Sequence, residues 1–459
     1  MSDEKKRTVC LLNDSFPPLI DGVANVVVNY AANIEARHGR ALVAVPAVPG
    51  ADDSAFPFPV LRYPSLDTRK LVGYVAGYPF SPETARSVHE AGTELLHVHC
   101  PMSSAILARQ ISEAEKLPLV MTYHTKYDID IANAIRSKTL QEGAIRALLQ
   151  NINACDEVWT VSRGAGENLR SLGFEGEYIV MENGVDMPLG SAAPEKIAAV
   201  TGAYDLPAGV PVFLFVGRLM WYKGLRIILD ALAKLKAEGA AFRMVFVGDG
   251  GDGEAVRATA SELGLDGVCF FTGAVRDREA LRAWYSRGDL FLFPSTFDTN
   301  GLVVREAAAC GTATVMIAGS CAAEGVTDGR NGFCIAENAG ALAETLRRLC
   351  AAPETMARVG EAAAKELYLS WETAVDRAWE RYGAVIENYR AGRYPKRSGV
   401  QDLFMRQQGE LMEALGKAST LRSRMWEELR RLDQERKRIS DANQQAFLES
   451  FWDDLGRYL

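Results

Sequence analysis

Two carboxylates, Asp298 and Glu306, flank a predicted junction between a strand and a helix. Residues 289–293 are short and apolar, which predicts a buried strand, and no helix breaker follows Gly301 until Gly311. Backbone N–H groups at the start of such a helix lack intrahelical partners and can bind an anion. Carboxylates accept hydrogen bonds from sugar hydroxyls, so this segment predicts a nucleotide-sugar site. The plain alternative is an ordinary strand–loop–helix unit.

Two cations follow another predicted strand. Residues 212–216 are apolar and lead into a loop that holds Arg218 and Lys223. A diphosphate leaving group needs its charge neutralised, for which arginine offers a planar fork of donors and lysine a compact charge. The alternative for any single pair of this kind is two solvated surface cations.

Two glycine-containing loops extend this pattern. Gly22 precedes a helix-like stretch, so its backbone could approach a phosphate or an acceptor. Residues 248–253 fit G-x-G-x-x-G, but Asp249 and Asp252 would place negative charge beside a pyrophosphate. We therefore interpret 248–253 as a loop that borders the donor and not as a dinucleotide fingerprint.

Three histidines follow two neighbouring strand-like runs. His124 ends its run, where it would face a cleft, and we expect one of His97 and His99 to pack and the other to line the cleft wall. Three close histidines could bind a metal, but no carboxylate or thiol completes a recognisable ligand spacing. We predict no metal and no cofactor, with a nucleotide sugar as substrate.

Strand-like runs alternate with helix-length segments, and this alternation occurs twice, which predicts two parallel sheets covered by helices. We predict two doubly wound, Rossmann-like domains facing a cleft, because ligands in such sheets lie at the carboxyl ends of strands. The predicted units are an acceptor-side domain over 1–190, a nucleotide-sugar domain over 205–370, a long helix over 371–395 and a helical tail over 396–459. The predicted strands cover residues 9–12, 41–45, 96–98, 119–122, 157–161, 178–181, 212–216, 244–247, 268–272, 290–293, 314–318 and 332–335.

Together these residues resemble the retaining family-4 glycosyltransferases of the GT-B fold, and most of all the bacterial diacylglycerol glucosyltransferases. Residues 294–312 match the E-x7-E signature of that family, with Asp298 where the first Glu is usual. Asp21 stands where the family usually has the first glycine of Gly-Gly-Val. The resemblance covers roughly residues 8–390 and implies that the helix predicted over 371–395 crosses back to the first domain, but it does not cover the tail.

The resemblance also implies a role for each matching residue. Arg218 and Lys223 would hold the diphosphate without a metal, His124 would contact the donor sugar near the reacting carbon, and the two carboxylates would hold sugar and ribose hydroxyls. Asp128-Ile129-Asp130 looks like a D-x-D metal motif, but that motif belongs to single-domain enzymes, so we place it on the acceptor side or the surface. The implied sets are catalytic His124, Asp298 and Glu306; donor-binding Gly22, Arg218, Lys223, Asn300, Gly301, Leu302, Val303 and Glu306; and acceptor-side Tyr123, Lys126 and Asp128.

Composition limits the remaining classes of protein. The net charge of −8 argues against nucleic acid as a partner, and the eight cysteines include no C-x-x-C pair, which favours reduced thiols in the cytoplasm. We find no signal peptide at the start and no apolar run long enough to span a bilayer. The tail carries apolar residues at 3-4 spacing, which could dimerise or pack on the same chain; we favour the second. These positions are Leu415, Ala418, Met425, Leu429, Leu432 and Ile439.

We therefore predict a retaining, metal-independent hexosyltransferase that uses a nucleotide sugar, UDP-linked, and a lipid acceptor such as diacylglycerol at the inner face of the membrane. An apolar helical stripe (Ile145, Leu148, Leu149, Ile152) and a basic cluster (Arg136, Lys138, Arg146) give modest support for a membrane surface, although a core-facing helix with a charged outer face is the simpler interpretation of each. The alternatives are the same chemistry on a soluble saccharide, a catalytically silent GT-B scaffold that binds through its tail, and a sugar-nucleotide epimerase.

Overall fold

Two parallel sheets, each covered by helices on both faces, make up the described part of the chain. The computed structural model describes residues 6–19, 21–68, 75–395, 405–411 and 431. The strands are β1 Thr8–Leu12, β2 Arg40–Pro46, β3 Val60–Tyr63, β4 Ser65–Leu66, β5 Ala76–Gly77, β6 Thr93–Val98, β7 Leu119–Tyr123, β8 Glu157–Thr160, β9 Tyr178–Val180, β10 Val212–Val216, β11 Arg243–Val247, β12 Cys269–Gly273, β13 Leu290–Phe293, β14 Ala313–Ile317 and β15 Phe333–Ile335.

Six of the described α-helices begin at a Ser, Asp or Asn side chain that caps the first turn. The α-helices span Gly22–Arg37, Pro82–Glu90, Ser103–Glu115, Tyr127–Ala134, Lys138–Asn153, Arg163–Ser171, Pro194–Thr201, Leu225–Ala237, Gly253–Glu262, Arg278–Arg287, Leu302–Ala309, Ala339–Ala351, Glu354–Glu366 and Trp371–Arg390. Short 3₁₀ turns lie at Trp221–Lys223 and Cys321–Ala323, and residues 405–411 are helical.

The order of the strands decides where ligands can bind. The N-terminal sheet has the order β3-β2-β1-β6-β7-β8-β9, and the C-terminal sheet has the order β12-β11-β10-β13-β14-β15. In each sheet the order reverses at one point, between β1 and β6 and between β10 and β13, where the strands pair directly. Open α/β sheets bind ligands at such switch points, outside the carboxyl ends of the strands. The two switch points carry the loops that begin at Asn13 and His99 in one sheet and at Gly217 and Pro294 in the other.

The central strands are short apolar runs because both faces of each sheet are covered. Every residue of β1, β7, β10 and β14 is buried, and Phe213, Phe215 and Phe246 are among the largest fully buried side chains of the C-terminal sheet domain. The fold class predicted from the sequence is therefore confirmed.

The long helix Trp371–Arg390 packs on the N-terminal sheet domain. Its Tyr382 ring is fully buried against Trp159, and Arg381 donates two hydrogen bonds to the Glu157 carboxylate at 2.6 and 2.9 Å. The chain enters this helix beside Gly184, where a Cβ would overlap the Trp371 backbone. The helix thus follows the C-terminal sheet in sequence but belongs to the N-terminal core.

Candidate active site

The loop after β10 holds its lysine through backbone contacts with two neighbouring loops. Lys223 ends the 3₁₀ turn, and the next residue, Gly224, has φ +76° and packs against the Pro294 carbonyl so closely that a Cβ would overlap it. On the other side, the Asp252 carboxylate accepts a hydrogen bond from the Trp221 N–H at 2.9 Å. The glycine-rich loop 248–253 therefore supports the cation-bearing loop, which is a structural role.

Lys223 and Asp298 form an ion pair at the centre of this region. The Lys223 Nζ lies 2.7 Å from the Asp298 Oδ1, and the Ser295 hydroxyl donates to the other carboxylate oxygen at 2.6 Å. The lysine side chain keeps 11% of its surface and the aspartate 25%, so the pair is partly shielded from water. Arg218 is exposed and has no hydrogen-bond or ion-pair partner in the described structure, so its guanidinium is available to a ligand.

The helix Leu302–Ala309 begins where the sequence predicted a helix start. Gly301 precedes it with φ +62°, and a Cβ at this position would lie 2.8 Å from the Ala322 side chain. Only glycine adopts this left-handed conformation readily in so crowded a place. The N–H groups of Leu302 and Val303 belong to the first turn, where a helix provides its unpaired donors.

Glu306 lies on the same helix and is held by two residues that the sequence reasoning missed. Its carboxylate accepts a hydrogen bond from the Tyr285 hydroxyl at 2.9 Å and from the Arg278 guanidinium at 2.9 Å. Burial raises the pKa of Tyr285, and the neighbouring Glu306 carboxylate raises it further, so the hydroxyl remains a donor. Both partners lie on the helix Arg278–Arg287, which follows β12 of the same sheet. Their position after a predicted strand was the only sequence feature that could have pointed to them.

His124 stacks on His99 at the carboxyl end of β7. The His124 Nε2 lies 3.0 Å from the His99 Nδ1, and the His97 ring accepts or donates hydrogen bonds to Tyr382 and Thr122 at 2.6 and 2.7 Å. Burial lowers the pKa of His124 to about 3 and also lowers the pKa values of His97 and His99, so all three rings are neutral.

The expectation that His97 or His99 lines the cleft wall is wrong, because both are fully buried. His124 covers His99, and His97 packs against Trp159. His124 keeps 6% of its surface and is the outermost of the three.

Several hydrogen bonds join the two sheet domains directly at Thr299 and Asn300. The Thr299 hydroxyl donates to the His124 carbonyl at 2.6 Å, the Ser162 hydroxyl donates to the Thr299 carbonyl at 2.5 Å, and the Asn300 amide donates to the Val161 carbonyl at 3.0 Å. Lys126, predicted on the acceptor side, donates to the Thr296 carbonyl at 3.0 Å. The structure thus brings His124 and Lys126 of one domain against residues 296–299 of the other.

The remaining acceptor-side residues have structural partners. Tyr123 is 1% exposed and donates to Asn168, so its ring belongs to the core and offers no surface to an acceptor, contrary to the prediction. Asp128 lies on the helix Tyr127–Ala134 and accepts a hydrogen bond from Asn168 at 3.2 Å.

Gly22 is the first residue of its helix, and Asp21 caps that helix by accepting a hydrogen bond from the Ala24 N–H at 2.8 Å. Aspartate at 21 therefore has a local structural reason.

The structure also bears on the sequence features that suggested a membrane surface or a metal site. Ile145, Leu148 and Leu149 pack against the N-terminal core with the buried Ile152, as the simpler interpretation held. Among the described residues, no group of three or more His, Cys, Asp or Glu side chains is arranged to hold a metal ion. Within the same residues, no helix is both long enough and apolar enough to cross a bilayer. The apolar tail positions from Leu415 to Ile439 lie outside the described residues.

Comparison with known proteins identifies the family. Residues 20–188 match the family model described as Glycosyltransferase Family 4, and residues 201–366 match the model described as Glycosyl transferases group 1. The D-inositol 3-phosphate glycosyltransferase of Mycolicibacterium smegmatis is 30% identical over 369 residues, which cover 77% of this chain and 81% of that protein. The chain belongs to the family-4, group 1 glycosyltransferases. It is therefore an enzyme of glycosyl transfer.

Two further proteins show the range of this glycosyltransferase family and its fold. The alpha-monoglucosyldiacylglycerol synthase of Acholeplasma laidlawii is 24% identical over 346 residues, which cover 72% of this chain and 84% of that protein. The crystal structure of HepE from Anabaena in complex with UDP-glucose superposes with a TM-score of 0.65 at 21% identity and covers 82% of this chain and 99% of that one. The second likeness shows the shared GT-B fold.

Proposed function

We propose that this glycosyltransferase moves a hexose from a UDP-linked sugar to a lipid acceptor such as diacylglycerol, without a metal and with retention of the anomeric configuration. The observation that carries the proposal is the Lys223–Asp298 pair at 2.7 Å, set beside the start of the helix Leu302–Ala309. A cation, a carboxylate and unpaired backbone donors thus lie at the ends of the paired strands β10 and β13, which is a set suited to a sugar diphosphate.

Charge on the departing diphosphate would be stabilised by this chain's own groups. Lys223 and the first N–H groups of the helix are fixed before a donor binds, and such preorganised donors supply a large part of enzymatic rate enhancement. The exposed Arg218, on the same loop as Lys223, would add its charge when the diphosphate arrives. These positive groups take the place that a divalent cation holds in metal-dependent transfer. We expect no covalent intermediate, and the diphosphate oxygen itself is the group that we expect to accept the proton of the incoming hydroxyl.

Hydroxyl groups of the donor would be held by the two carboxylates. Asp298 has lone pairs left beyond those used by Lys223 and Ser295, and Glu306 is oriented by Tyr285 and Arg278. The choice of a UDP-linked donor is supported by HepE, the GT-B protein that was crystallised with UDP-glucose. His124 is neutral, so it would approach the sugar as a hydrogen-bonding group and not as a cation.

The lipid acceptor is supported by an exposed apolar rim on the N-terminal sheet domain. Leu66, Tyr78 and Met102 are 68%, 55% and 45% exposed. Leu66 and Tyr78 lie at the small β4–β5 sheet, which packs through Gly77 against Ser103, so the rim lies at the carboxyl edge of the sheet near β1 and β6. Exposed apolar groups at one edge favour a membrane-bound or lipid partner. The relative from Acholeplasma laidlawii, named a monoglucosyldiacylglycerol synthase, favours the same class.

A soluble acceptor is the second candidate. Several relatives, including the protein from Mycolicibacterium smegmatis, are named D-inositol 3-phosphate glycosyltransferases, which favours a phosphorylated polyol. The two candidates share the donor chemistry and differ only in what enters from the N-terminal domain.

A donor and acceptor screen tests the proposal. Purified protein with chelator would be mixed with UDP-, GDP- and ADP-sugars, each with diacylglycerol vesicles, with inositol phosphate or without acceptor, and nucleoside diphosphate release would be measured. Release with UDP-sugar and vesicles, an α-linked product from an α-linked donor by NMR, and loss of release in Lys223→Ala but not in the exposed control Lys234→Ala, would support it. Release only with inositol phosphate would move the acceptor to the soluble class.

Three other results would contradict the proposal. Conversion of the donor sugar without an acceptor would indicate an epimerase. Abolition of release by the chelator would refute independence from metals, and an inverted product would refute retention.

A further inference from the structure

We infer that residues 405–411 are a docking segment through which the chain beyond the crossover helix binds its own N-terminal sheet domain, on the helix Ser103–Glu115. This inference does not depend on the proposed donor or acceptor. It gives the tail an intramolecular partner in place of a second copy of the chain.

The contact between the segment and the helix is very close. Gly409 is buried, and a Cβ at this position would overlap the Gln110 carbonyl oxygen and lie 3.0 Å from the Ala114 side chain. Only a residue without a side chain allows two helix backbones to approach in this way. One turn earlier, the Arg406 guanidinium lies 3.3 Å from the Glu113 carboxylate. Shape and charge therefore both match at the same place.

In the folded chain the polar face of this helix is covered as well as its apolar face. Its Leu107 and Ile111 side chains are fully buried in the N-terminal core, yet its polar Gln110 and Glu113 also keep only 4% and 8% of their surface. A helix on the surface of a sheet normally exposes such residues. A buried glutamate needs a cationic partner, which Arg406 supplies.

Chain geometry favours docking within one molecule. The Tyr394 hydroxyl donates to Glu157 at 2.7 Å, at the first residue of β8, so the chain is anchored at the amino end of this strand. Glu113 lies near the end of a helix that leads into β7, the strand that pairs with β8. Both anchors are thus at the same edge of the same sheet. The ten residues from 395 to 404 can span on the order of 30 Å, whereas adjacent strands are only about 5 Å apart and a helix layer lies about 10 Å away.

The helix Ser103–Glu115, on which the segment docks, connects the tail to the cleft. At its other end the Asp14 carboxylate, in the loop after β1, accepts hydrogen bonds from the Ser104 N–H at 3.0 Å and the Ser104 hydroxyl at 2.6 Å. Two atoms at the docking contact, the Gln110 Oε1 and the Arg406 Nε, are buried without a hydrogen-bond partner in the described structure. Unpaired polar atoms weaken an interface, so the segment should dock reversibly and release as a unit.

Hydrogen exchange of the full chain tests this inference with a matched pair of glycine variants. Gly409→Ala introduces the overlap with Gln110, whereas Gly143→Ala, also within a helix, meets no atom within 4 Å. Alanine favours both helices, so only the overlap separates the two variants. We expect exchange of 405–411 and of the helix Ser103–Glu115 to become about tenfold faster or more in Gly409→Ala and to stay unchanged in Gly143→Ala.

Charge reversal and mixing experiments complete the test. Arg406→Glu should release the segment in the same way, and the added change Glu113→Arg should restore its protection. Cross-links between 405–411 and the helix, in a mixture of isotopically light and heavy protein, should join residues of one chain. Equal exchange in the two glycine variants, or cross-links that mainly join light to heavy chains, would overturn the inference, the latter in favour of a tail-exchanged dimer.

Discussion

The three stacked histidines predict that the protein loses stability steeply when the pH falls below about 6.5, the pKa of histidine in an unfolded chain. Burial lowers the folded-state pKa values of His97, His99 and His124, the last to about 3. Among the described residues, no carboxylate lies within ion-pair distance of these rings to favour their charged form. Between pH 6.5 and the folded pKa values, the unfolded chain therefore binds protons that the folded chain does not.

The size of the effect follows from the number of protons. Stability rises with pH where the unfolded state binds more protons, by about 1.4 kcal/mol per pH unit for each group. Three histidines together predict a loss of about 4 kcal/mol between pH 7.5 and pH 5.5, because each contributes about 1.4 kcal/mol over that interval. This is a large part of the roughly 5–15 kcal/mol that a protein domain has available.

Urea unfolding at pH 7.5, 6.5 and 5.5 measures this slope above the range in which carboxylates titrate. His124→Asn removes one proton from the balance and should reduce the slope by about a third. Tyr30→Phe keeps a ring that packs edge-on against His97 and His99 at 5.8 and 5.5 Å, so it should change stability without changing the slope. A free energy of unfolding that does not vary between pH 7.5 and 5.5 would refute the reasoning.

Three further substitutions test the site and its supports. Under the proposed function, Lys223→Ala should lower kcat for glycosyl transfer by about 10²–10³ because it would remove a hydrogen-bond donor to the leaving group, and an unchanged kcat would contradict that role. Asp21→Ala should cost about 0.5–2 kcal/mol of stability in urea unfolding because the first helix loses its cap, while Asp21→Asn should keep most of it. Gly224→Ala should abolish donor binding by calorimetry and lower the melting temperature, since a Cβ overlaps the next loop; Gly239→Ala, with φ +82° and open space, should show only the smaller backbone cost, and equal effects would argue against the overlap.

The strands that the sequence predicted correctly are those buried on both faces. Residues 212–216 and 290–293 are continuous apolar runs because helices cover both sides of β10 and β13, and such runs can be recognised without other information. The strand β3 was missed because it lies at the edge of the sheet, is only partly buried and includes the polar Arg62. The strands β4 and β5 have two residues each, too few for any periodic pattern.

The sequence predicted the parts of the site whose residues are close together in the chain. It did not predict the parts whose residues come together only by packing between distant elements. Asp298 and Gly301 share one strand end, so a local pattern is enough to place them together. The partners of Glu306 come from a different helix, and only the folded sheet brings Tyr285 to its carboxylate. The expectation that one of His97 and His99 lines the cleft wall was wrong for the same reason, because His124, from a neighbouring strand end, stacks on His99.

Closure of the two domains should determine how firmly residues 298–300 are held in place. Asp298 binds Lys223 within the C-terminal domain, whereas the next two residues bind the His124 carbonyl, Ser162 and the Val161 carbonyl of the other domain. Opening the cleft would remove all of these cross-domain bonds from residues adjacent to the donor carboxylate. The free energy of closure and the free energy of donor binding are then coupled, and by reciprocity a bound donor must favour the closed arrangement to the same extent that closure favours the donor. Under the proposed function, closure would also exclude water from the sugar carbon, so one set of hydrogen bonds would both order residues 298–300 and protect the donor from hydrolysis.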